Sequence, residues 1–320
     1  MSNDKGCSIC SYEEYEHLFT AHDNLKISDR PFDLVRCKRC SVIRLLSPPD
    51  EEKMNEFYPN NYFTGTPDPF NPVNVRKKKI LEKFTKSGKI LDFGCGDFSF
   101  LLSLDEKWEK HGFDRKLYVD EKLFRDNNIK FWSDSLEQVD IKDNYLDVIT
   151  FWASLEHTHN PGKLLVSSYK MLKKGGKIII LLQNIDSIQA KIFKEHWVHL
   201  DIPRHIYHFS LKTLEFTLKK LNFKILDVIH NNPDYNISGF SDSLRIYKSS
   251  KNMLKKNKQS NKLNEKDVNH KRVTISPNRE DLGFTKKIKS LIIKYFFSCP
   301  LALVEIISGK GGIITVIAEK

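Results

Sequence analysis

The sequence predicts a doubly wound α/β fold preceded by a small cysteine-based module. Three observations support this prediction. Strand-like and helix-like patterns alternate through the middle of the chain, a glycine loop follows the first strand, and two CxxC pairs lie near the N-terminus. Such alternation is typical of a parallel sheet with helices on both faces. A chain of 320 residues has room for one such domain and a small accessory module.

Short apolar runs predict the central strands of the sheet. Each run is continuous rather than alternating, which is typical of a strand that helices cover on both faces. The runs are residues 89–93, the stretch that ends at Asp114, and residues 146–151, 177–182 and 224–229. Helical patterns lie between them at 98–104, 161–172 and 211–221, and Ser210 is the predicted N-cap of the last. The run after Gly311 and Gly312 predicts one more strand of the same sheet.

Composition divides the chain into three regions. Residues 1–46 hold the paired cysteines, residues 47–75 are rich in Pro, Asn and Tyr and indicate a connector, and residues 76–320 hold the α/β pattern. A polar, basic stretch at about 248–280 lacks apolar periodicity and is predicted to be an insertion, with a helix and a strand after it at about 284–320. Much of the formal charge of +11 comes from this stretch, so the charge says little about an active site.

The segment ILDFGCGDF predicts a nucleotide-like binding loop. Gly94 and Gly96 lie between a strand and a helix, where missing side chains let backbone N–H groups approach a ligand. Asp114 ends the next predicted strand, from which a carboxylate can accept hydrogen bonds from both hydroxyls of a ribose. Together these residues predict a site for an adenosine group. The loop is not GxGxxG, but an NAD-dependent oxidoreductase stays open as the alternative enzyme.

The spacing of Asp92, Gly94 and Gly96 resembles the first motif of class I S-adenosylmethionine (SAM) dependent methyltransferases, D/E-x-G-x-G-x-G, with Phe98 at the third glycine. The segments LDVITFWASLEHTHNPGKLL and LKKGGKIIILLQN resemble the fourth- and fifth-strand regions of the same superfamily. This resemblance covers about residues 89–229. It implies a Rossmann-like, seven-stranded methyltransferase sheet with SAM lying over the glycine loop.

The resemblance also implies a set of SAM-binding residues. Asp134 and Ser135 would flank the adenine, and Phe151 and Trp152 would line the methionine end. Cys95 lies within the loop as a small residue. The full predicted set is Asp92, Gly94, Cys95, Gly96, Asp114, Asp134, Ser135, Phe151 and Trp152.

The paired cysteines predict a metal site. Cys7 and Cys10, and then Cys37 and Cys40, form CxxC twice, a spacing that lets both thiolates of a pair bind one ion. Four thiolates without histidine predict a closed structural Zn²⁺ site whose binding energy helps to fold a small zinc ribbon. Redox dithiols or unpaired core cysteines are the alternatives. Zinc ribbons also bind nucleic acid, so a nucleic-acid-binding protein with a vestigial cofactor fold stays open.

The module also resembles the N-terminal zinc module of certain bacterial sugar and glycan methyltransferases, in which VRCKRC is followed by a YPxxY segment. Here that segment holds Tyr58 and Tyr62, which the resemblance implies are near the acceptor. His157 and His205 match histidines of those enzymes and are the candidate general bases. Arg204 stands where those enzymes carry glutamate, so we expect it to pair with a phosphate or carboxylate of the substrate.

The sequence therefore predicts a cytoplasmic SAM-dependent methyltransferase with a small-molecule or glycan-linked acceptor. The start of the chain has no secretory signal, and paired thiols indicate a reducing compartment. The apolar segment at about 291–307 is interrupted by Lys294, Pro300 and Glu305, which makes it too short and too polar to span a bilayer. A packed C-terminal helix is predicted there, with peripheral membrane contact as the alternative.

Overall fold

Two β-sheets organise the chain, which is described by a computed structural model covering residues 6–58, 66–133, 139–230, 233–260 and 298–320. In chain order the strands are β1 (Tyr15–His22), β2 (Pro31–Cys37), β3 (Ile43–Leu45), β4 (Gly88–Phe93), β5 (Trp108–Phe113), β6 (Ile129–Trp132), β7 (Leu146–Trp152), β8 (Leu172–Gln183), β9 (Tyr207–His208), β10 (Lys224–Ile229) and β11 (Ile313–Glu319). The α-helices are α1 (Glu51–Met54), α2 (Pro72–Phe84), α3 (Ser99–Leu102), α4 (Glu121–Asp126), α5 (Pro161–Met171), α6 (Ile188–Phe193), α7 (Leu211–Lys220), α8 (Pro233–Ser260) and α9 (Cys299–Ile307).

The larger sheet has seven strands in the order β10-β11-β8-β7-β4-β5-β6. Neighbouring strands are parallel except where β11 pairs with β8 and β10. This confirms the predicted fold class, a doubly wound, Rossmann-like methyltransferase sheet. The chain moves outward in opposite directions from β4 and β7, so the carboxyl ends of these two strands open a crevice at the switch point of the topology. The residues that follow β4, β5 and β7 therefore meet at one edge of the sheet.

The apolar runs predicted as central strands form the core of this sheet. Leu91 of β4, Ile149 of β7 and Ile180 of β8 are completely buried. Burying an aliphatic side chain of this size contributes roughly 1.5–3 kcal/mol, so these runs contribute to the stability of the fold. Ser210 caps α7 as predicted, because its hydroxyl accepts a hydrogen bond from the Thr213 N–H at 3.2 Å.

The smaller sheet is antiparallel and has the order β1-β2-β3-β9. Its first three strands belong to the cysteine region, but the fourth follows His205 in the chain. Ile43 pairs with His208 and Arg44 with Tyr207. The cysteine region and the α/β region therefore share one sheet.

The start of α2, the basic insertion and the C-terminal helix differ from the predicted bounds or are only partly described. Helix α2 begins inside the predicted connector, where Asn71 caps its first turn and Pro72 takes its first position. The predicted basic insertion at about 248–280 overlaps the end of α8 and otherwise lies outside the described residues. The second half of the predicted C-terminal helix forms α9, and its first half lies outside them. Among the helices described, none combines the length and the hydropathy needed to cross a bilayer.

Candidate active site

In the loop after β4 every second residue has a left-handed backbone conformation, with a positive φ angle. Gly94, Gly96 and Phe98 have φ angles of +75°, +56° and +64°. Phe98, at the position of the third glycine of the motif, thus has a left-handed backbone conformation, which costs an L-residue about 1–2 kcal/mol. Its side chain is fully buried and its ring lies 5.9 Å from Phe124 and 5.3 Å from Phe131. Aromatic packing therefore offsets the cost of this conformation.

The two glycines of the loop have different surroundings. A Cβ added to Gly94 would lie 2.5 Å from the Cβ of Ser154, which follows β7, so a side chain there would push the loop away from the sheet. A Cβ added to Gly96 would meet no atom of the described residues within 4 Å. The Gly96 N–H donates a hydrogen bond of 2.9 Å to Oδ2 of Asp114. The loop is thereby joined to the acidic residue after β5, with open space beside it.

Two carboxyl groups beside this loop have raised pKa values. Burial raises the pKa of Asp114 to about 6, although the Gly96 and Arg115 N–H groups act in the opposite direction. Asp114 is therefore mostly ionised at neutral pH. Burial also raises the pKa of Asp92 to about 7. Asp92 accepts a 2.6 Å hydrogen bond from the Thr150 hydroxyl and so links β4 to β7.

A cavity of about 1530 Å³ opens at the carboxyl ends of β4, β5 and β7. A typical site for one small ligand occupies roughly 300–1,000 Å³, so this cavity can hold a cofactor together with a second molecule. Its lining includes seven of the predicted site residues: Tyr58, Gly94, Asp114, Phe151, Trp152, His157 and His205. Asp92 and Cys95 line a smaller cavity of about 580 Å³ that shares Gly94 with the first. Asp134, Ser135 and Tyr62 lie outside the described residues.

Aromatic rings form one wall of the large cavity. Phe151 stacks on Phe93 with ring centroids 5.0 Å apart and planes 6° apart. Trp152 packs edge-on against Phe100 at 5.3 Å. Its buried indole Nε1 has no hydrogen-bond partner among the described residues. This wall is apolar apart from that donor.

Lys77 of α2 is a site residue that the sequence analysis missed. Its Nζ lies 5.8 Å from the ring centroid of Phe100 and 5.6 Å from that of Trp152, and the residue lines the smaller cavity. Burial lowers its pKa, whereas the nearby carboxylates of Asp92 and Asp97 act to raise it. In the sequence Lys77 is one of three consecutive lysines. Which of the three faces the cavity depends on how α2 packs on the sheet, and the sequence does not show this.

His157 and His205 meet at the cavity wall. His157 lies in the 3₁₀ turn Leu155–His157 that follows β7, and its ring centroid is 4.6 Å from that of His205. Its Nδ1 is 3.0 Å from the Arg204 carbonyl oxygen and 3.1 Å from the Tyr58 hydroxyl. Burial lowers the pKa of His157 to about 3 and that of His205 to about 4. Both rings are therefore neutral at physiological pH.

Glu156 completes this cluster and was also missed. It is 1 % exposed, and neither carboxyl oxygen has a hydrogen-bond partner among the described residues. Burial raises the pKa of Glu156 to about 7. The Gln183 side chain lies near enough to lower that pKa, but its amide does not meet the geometry of a hydrogen bond to the carboxyl group. One ligand atom from each of Glu156, His157 and His205 lies within 4.8 Å of the others. The motif LEH makes the first two neighbours, but only the fold brings His205 to them.

Arg204 does not line the cavity, contrary to what a substrate-binding role would require. Its side chain is fully buried and donates to Asp23 Oδ1 at 2.8 Å, to Asp201 Oδ1 at 2.7 Å and to the Phe57 carbonyl oxygen at 2.9 Å. Asp23 belongs to the cysteine region and Phe57 to the connector. Arg204 therefore joins three parts of the chain behind the cavity.

The four predicted metal-binding cysteines come together. Their Sγ atoms lie within 4.8 Å of one another, with Cys7 and Cys40 3.6 Å apart and Cys10 and Cys37 3.5 Å apart. These separations are far longer than a disulfide bond of about 2.05 Å, and all four thiols are free and buried.

The two CxxC segments have the same local fold. Each is followed by a serine with positive φ, Ser11 at +61° and Ser41 at +63°. The Ser11 N–H donates to the Cys7 carbonyl at 2.7 Å, and the Ser41 N–H donates to the Cys37 carbonyl at 2.9 Å. The repeated CxxCS pattern thus produces two matching turns that present four thiols to one point.

Part of the chain is similar to known proteins. A family model described as a methyltransferase domain matches residues 73–228, a little under half of the chain. An uncharacterised protein of Methanocaldococcus jannaschii is 28% identical over 151 residues, which cover 46% of this chain and 69% of that protein. A SAM-dependent methyltransferase of Archaeoglobus fulgidus has a similar structure, with a TM-score of 0.46 and 18% identity over 85% of this chain and 100% of that one. A SAM-dependent methyltransferase of Thermotoga maritima has a TM-score of 0.43 and 13% identity, and the match covers 78% of this chain and 89% of that one.

Proposed function

We propose that the chain, whose residues 73–228 match a methyltransferase domain, transfers a methyl group from SAM to a small-molecule or glycan-linked acceptor. The observation that carries this proposal is the meeting of Gly94, Gly96 and Asp114 at the switch point of the sheet. A loop with two glycines beside an ionised carboxylate suits an adenosine group. The large cavity leaves space for the acceptor next to it.

The residues at the two cavities fit SAM. Asp114 would accept hydrogen bonds from the ribose hydroxyls, and the open space at Gly96 lets the cofactor approach the backbone closely. Phe151 and Trp152 would contact its methionine end. SAM supplies a methyl group on a sulfonium that is already activated, so the protein has mainly to orient the acceptor. Asp134 and Ser135 stay part of the proposal as adenine neighbours.

The test of this function is direct. Titration calorimetry with SAM and with NAD compares the proposed cofactor with that of the alternative oxidoreductase. We expect saturable binding of SAM and no binding of NAD. Labelled SAM incubated with fractionated extract of the source cell should then label one class of product, which identifies the acceptor. Binding of NAD without SAM would contradict the proposal.

We infer that Lys77 binds the carboxylate of the methionine group of SAM. Replacing Lys77 with methionine keeps the length of the side chain but removes the ammonium. A hydrogen bond to a charged group contributes about 1.5–3 kcal/mol, so SAM affinity should fall by roughly 10- to 100-fold. Calorimetry with 5′-methylthioadenosine, which lacks the carboxylate, should give the same dissociation constant for the variant and the wild type.

The matched control for this experiment is Lys79→Met, because Lys79 lies exposed on the same helix. It should leave the binding of both ligands unchanged. Equal losses for SAM and methylthioadenosine in the Lys77 variant would mean that Lys77 only supports the fold of the site.

We propose further that Cys7, Cys10, Cys37 and Cys40 hold a structural Zn²⁺ ion. Zn–S bonds of 2.3 Å at tetrahedral angles separate sulfur atoms by about 3.8 Å, close to the 3.5 and 3.6 Å of the two nearest pairs. Free thiols are also typical of a reducing compartment, so a cytoplasmic location is part of this proposal.

The zinc proposal predicts that Cys37→Ser loses one equivalent of zinc and unfolds at a lower temperature. Elemental analysis of the purified variant and its thermal unfolding curve measure the two effects. Cys299→Ser is the control, because Cys299 is a free thiol outside the cluster. A Cys37→Ser protein that retains the zinc content of the wild type would refute the assignment.

A further inference from the structure

We propose that Glu156, His157 and His205 form a second metal site, which binds a divalent transition-metal cation at the wall of the large cavity. One ligand atom from each residue lies within 4.8 Å of the other two. The site shares no residue with the four-cysteine cluster. His157 and His205 line the cavity, so a cation bound between them would be accessible from it.

The carboxyl group of Glu156 is the first observation that points to a ligand. Both of its oxygens are buried and lack a hydrogen-bond partner among the described residues. A buried polar group that forms no hydrogen bond costs about 1–3 kcal/mol, and a charged group costs more. Proteins rarely keep such a group unless it has a function or an ion beside it. A cation between Glu156 and the two imidazoles would compensate this cost.

The hydrogen bonds of the two imidazoles are the second observation. His157 Nδ1 lies 3.0 Å from the Arg204 carbonyl oxygen, and His205 Nδ1 lies 2.8 Å from the His199 carbonyl oxygen. A carbonyl oxygen only accepts, so both bonds require a proton on Nδ1. In the neutral ring each Nε2 then has a lone pair, and the Nε2 of His205 lies 3.9 Å from Oδ2 of Asp201. Metal-binding histidines commonly donate their other N–H to a backbone carbonyl in this way.

The ligand set indicates the class of cation. Two imidazole nitrogens with one carboxylate suit Zn²⁺ and Fe²⁺, whereas Mg²⁺ and Ca²⁺ prefer sites made only of oxygen. Three protein ligands also leave at least one coordination position open. That position would face the cavity, because His157 and His205 are in its lining.

The open position has a consequence that rests on the proposed function. An acceptor hydroxyl bound to the cation would lose its proton to water more readily. Its oxygen lone pair would then form a bond to the methyl carbon of SAM as the carbon–sulfur bond breaks, and the sulfur would leave as a neutral thioether. We therefore expect the acceptor to carry a hydroxyl group, and the reaction to be an O-methylation.

The experiment titrates Co²⁺ into the protein as purified, with its zinc retained. We expect one equivalent to bind with visible d–d absorption but without the charge-transfer band that thiolate ligands would produce. Glu156→Gln should weaken this binding by more than the roughly 10- to 100-fold that the loss of a supporting residue typically costs. His157→Asn, a second variant, should do the same.

His111→Asn is the matched control, because His111 is a buried histidine of β5 whose Nδ1 lacks a hydrogen-bond partner among the described residues and which does not belong to the cluster. It should bind Co²⁺ like the wild type. Unfolding temperature and zinc content, measured on each variant, separate loss of the site from loss of the fold.

Two results would overturn the inference. One is wild-type protein that holds zinc and binds SAM but does not bind Co²⁺. The other is Glu156→Gln protein that binds Co²⁺ as tightly as the wild type. Failure of the proposed function gives a different result, namely binding of Co²⁺ at this cluster without binding of SAM, and that result would support the metal site.

Discussion

Asp114→Asn is expected to weaken SAM binding by roughly 100-fold or more. Hydrogen bonds from the two ribose hydroxyls to a charged acceptor contribute about 1.5–3 kcal/mol each, and asparagine provides neither the charge nor the second acceptor oxygen. The variant keeps one oxygen that can accept the Gly96 N–H, so the loop has no reason to move. Calorimetric titration of SAM into wild type and variant measures the effect.

The control for this experiment is Asp105→Asn. Asp105 is an exposed aspartate in the connection between α3 and β5, where it pairs with Lys107. It should bind SAM with the wild-type dissociation constant. If Asp114→Asn did the same, Asp114 could not be the ribose-binding residue and the cofactor would have to lie elsewhere.

The pH dependence provides a second readout of the same residue. Because burial raises the Asp114 pKa to about 6, lowering the pH through this value should protonate the carboxylate and weaken SAM binding. The groups that face it are Arg115, Tyr118, Cys95 and Asp92, and the raised pKa of Asp92 falls in the same range. Asp114→Asn separates the two, because the part of the pH dependence due to Asp114 should be absent from the variant.

The sheet and the glycine loop could be predicted from the sequence because their signals are local. A run such as residues 177–182 indicates a buried strand from consecutive residues alone, and Gly94 and Gly96 lie two positions apart. Asp114 could be found because the next strand of this fold class ends at a fixed place beside the loop. Four cysteines in two equal spacings were equally informative.

The rest of the candidate site depends on packing between segments that are distant in the sequence. Glu156 and His205 are 49 positions apart, and no periodicity relates them. In the sequence nothing distinguishes Lys77 from the other lysines of its helix, because its role depends on the packing of α2 against Trp152. The prediction for Arg204 used its position in a family resemblance, whereas Asp23, its partner in the cysteine region, is 181 positions away.

Arg204→Met is expected to destabilise the protein by about 3–5 kcal/mol, the cost of removing one partner from a buried ion pair. The substitution would leave the fully buried Asp23 side chain and the largely buried Asp201 without their shared cation. Burial opposes ionisation of Asp201, yet Arg204 and His205 lower its pKa to about 2. Because a domain is typically stable by only about 5–15 kcal/mol, this loss should be easily measured in urea unfolding curves.

The size of this effect distinguishes two roles for Arg204. Arg245→Met, the control, removes an exposed guanidinium from its pair with Asp242 and should cost less than about 1 kcal/mol. If Arg204 instead binds a phosphate or carboxylate of the substrate, Arg204→Met should raise KM for the acceptor and change stability as little as the control does. A large loss of stability would mean that Arg204 joins the cysteine region to the α/β region. The large cavity, whose lining includes Ser8 and Leu25 of the cysteine region as well as His157, would then depend on this buried pair for its shape.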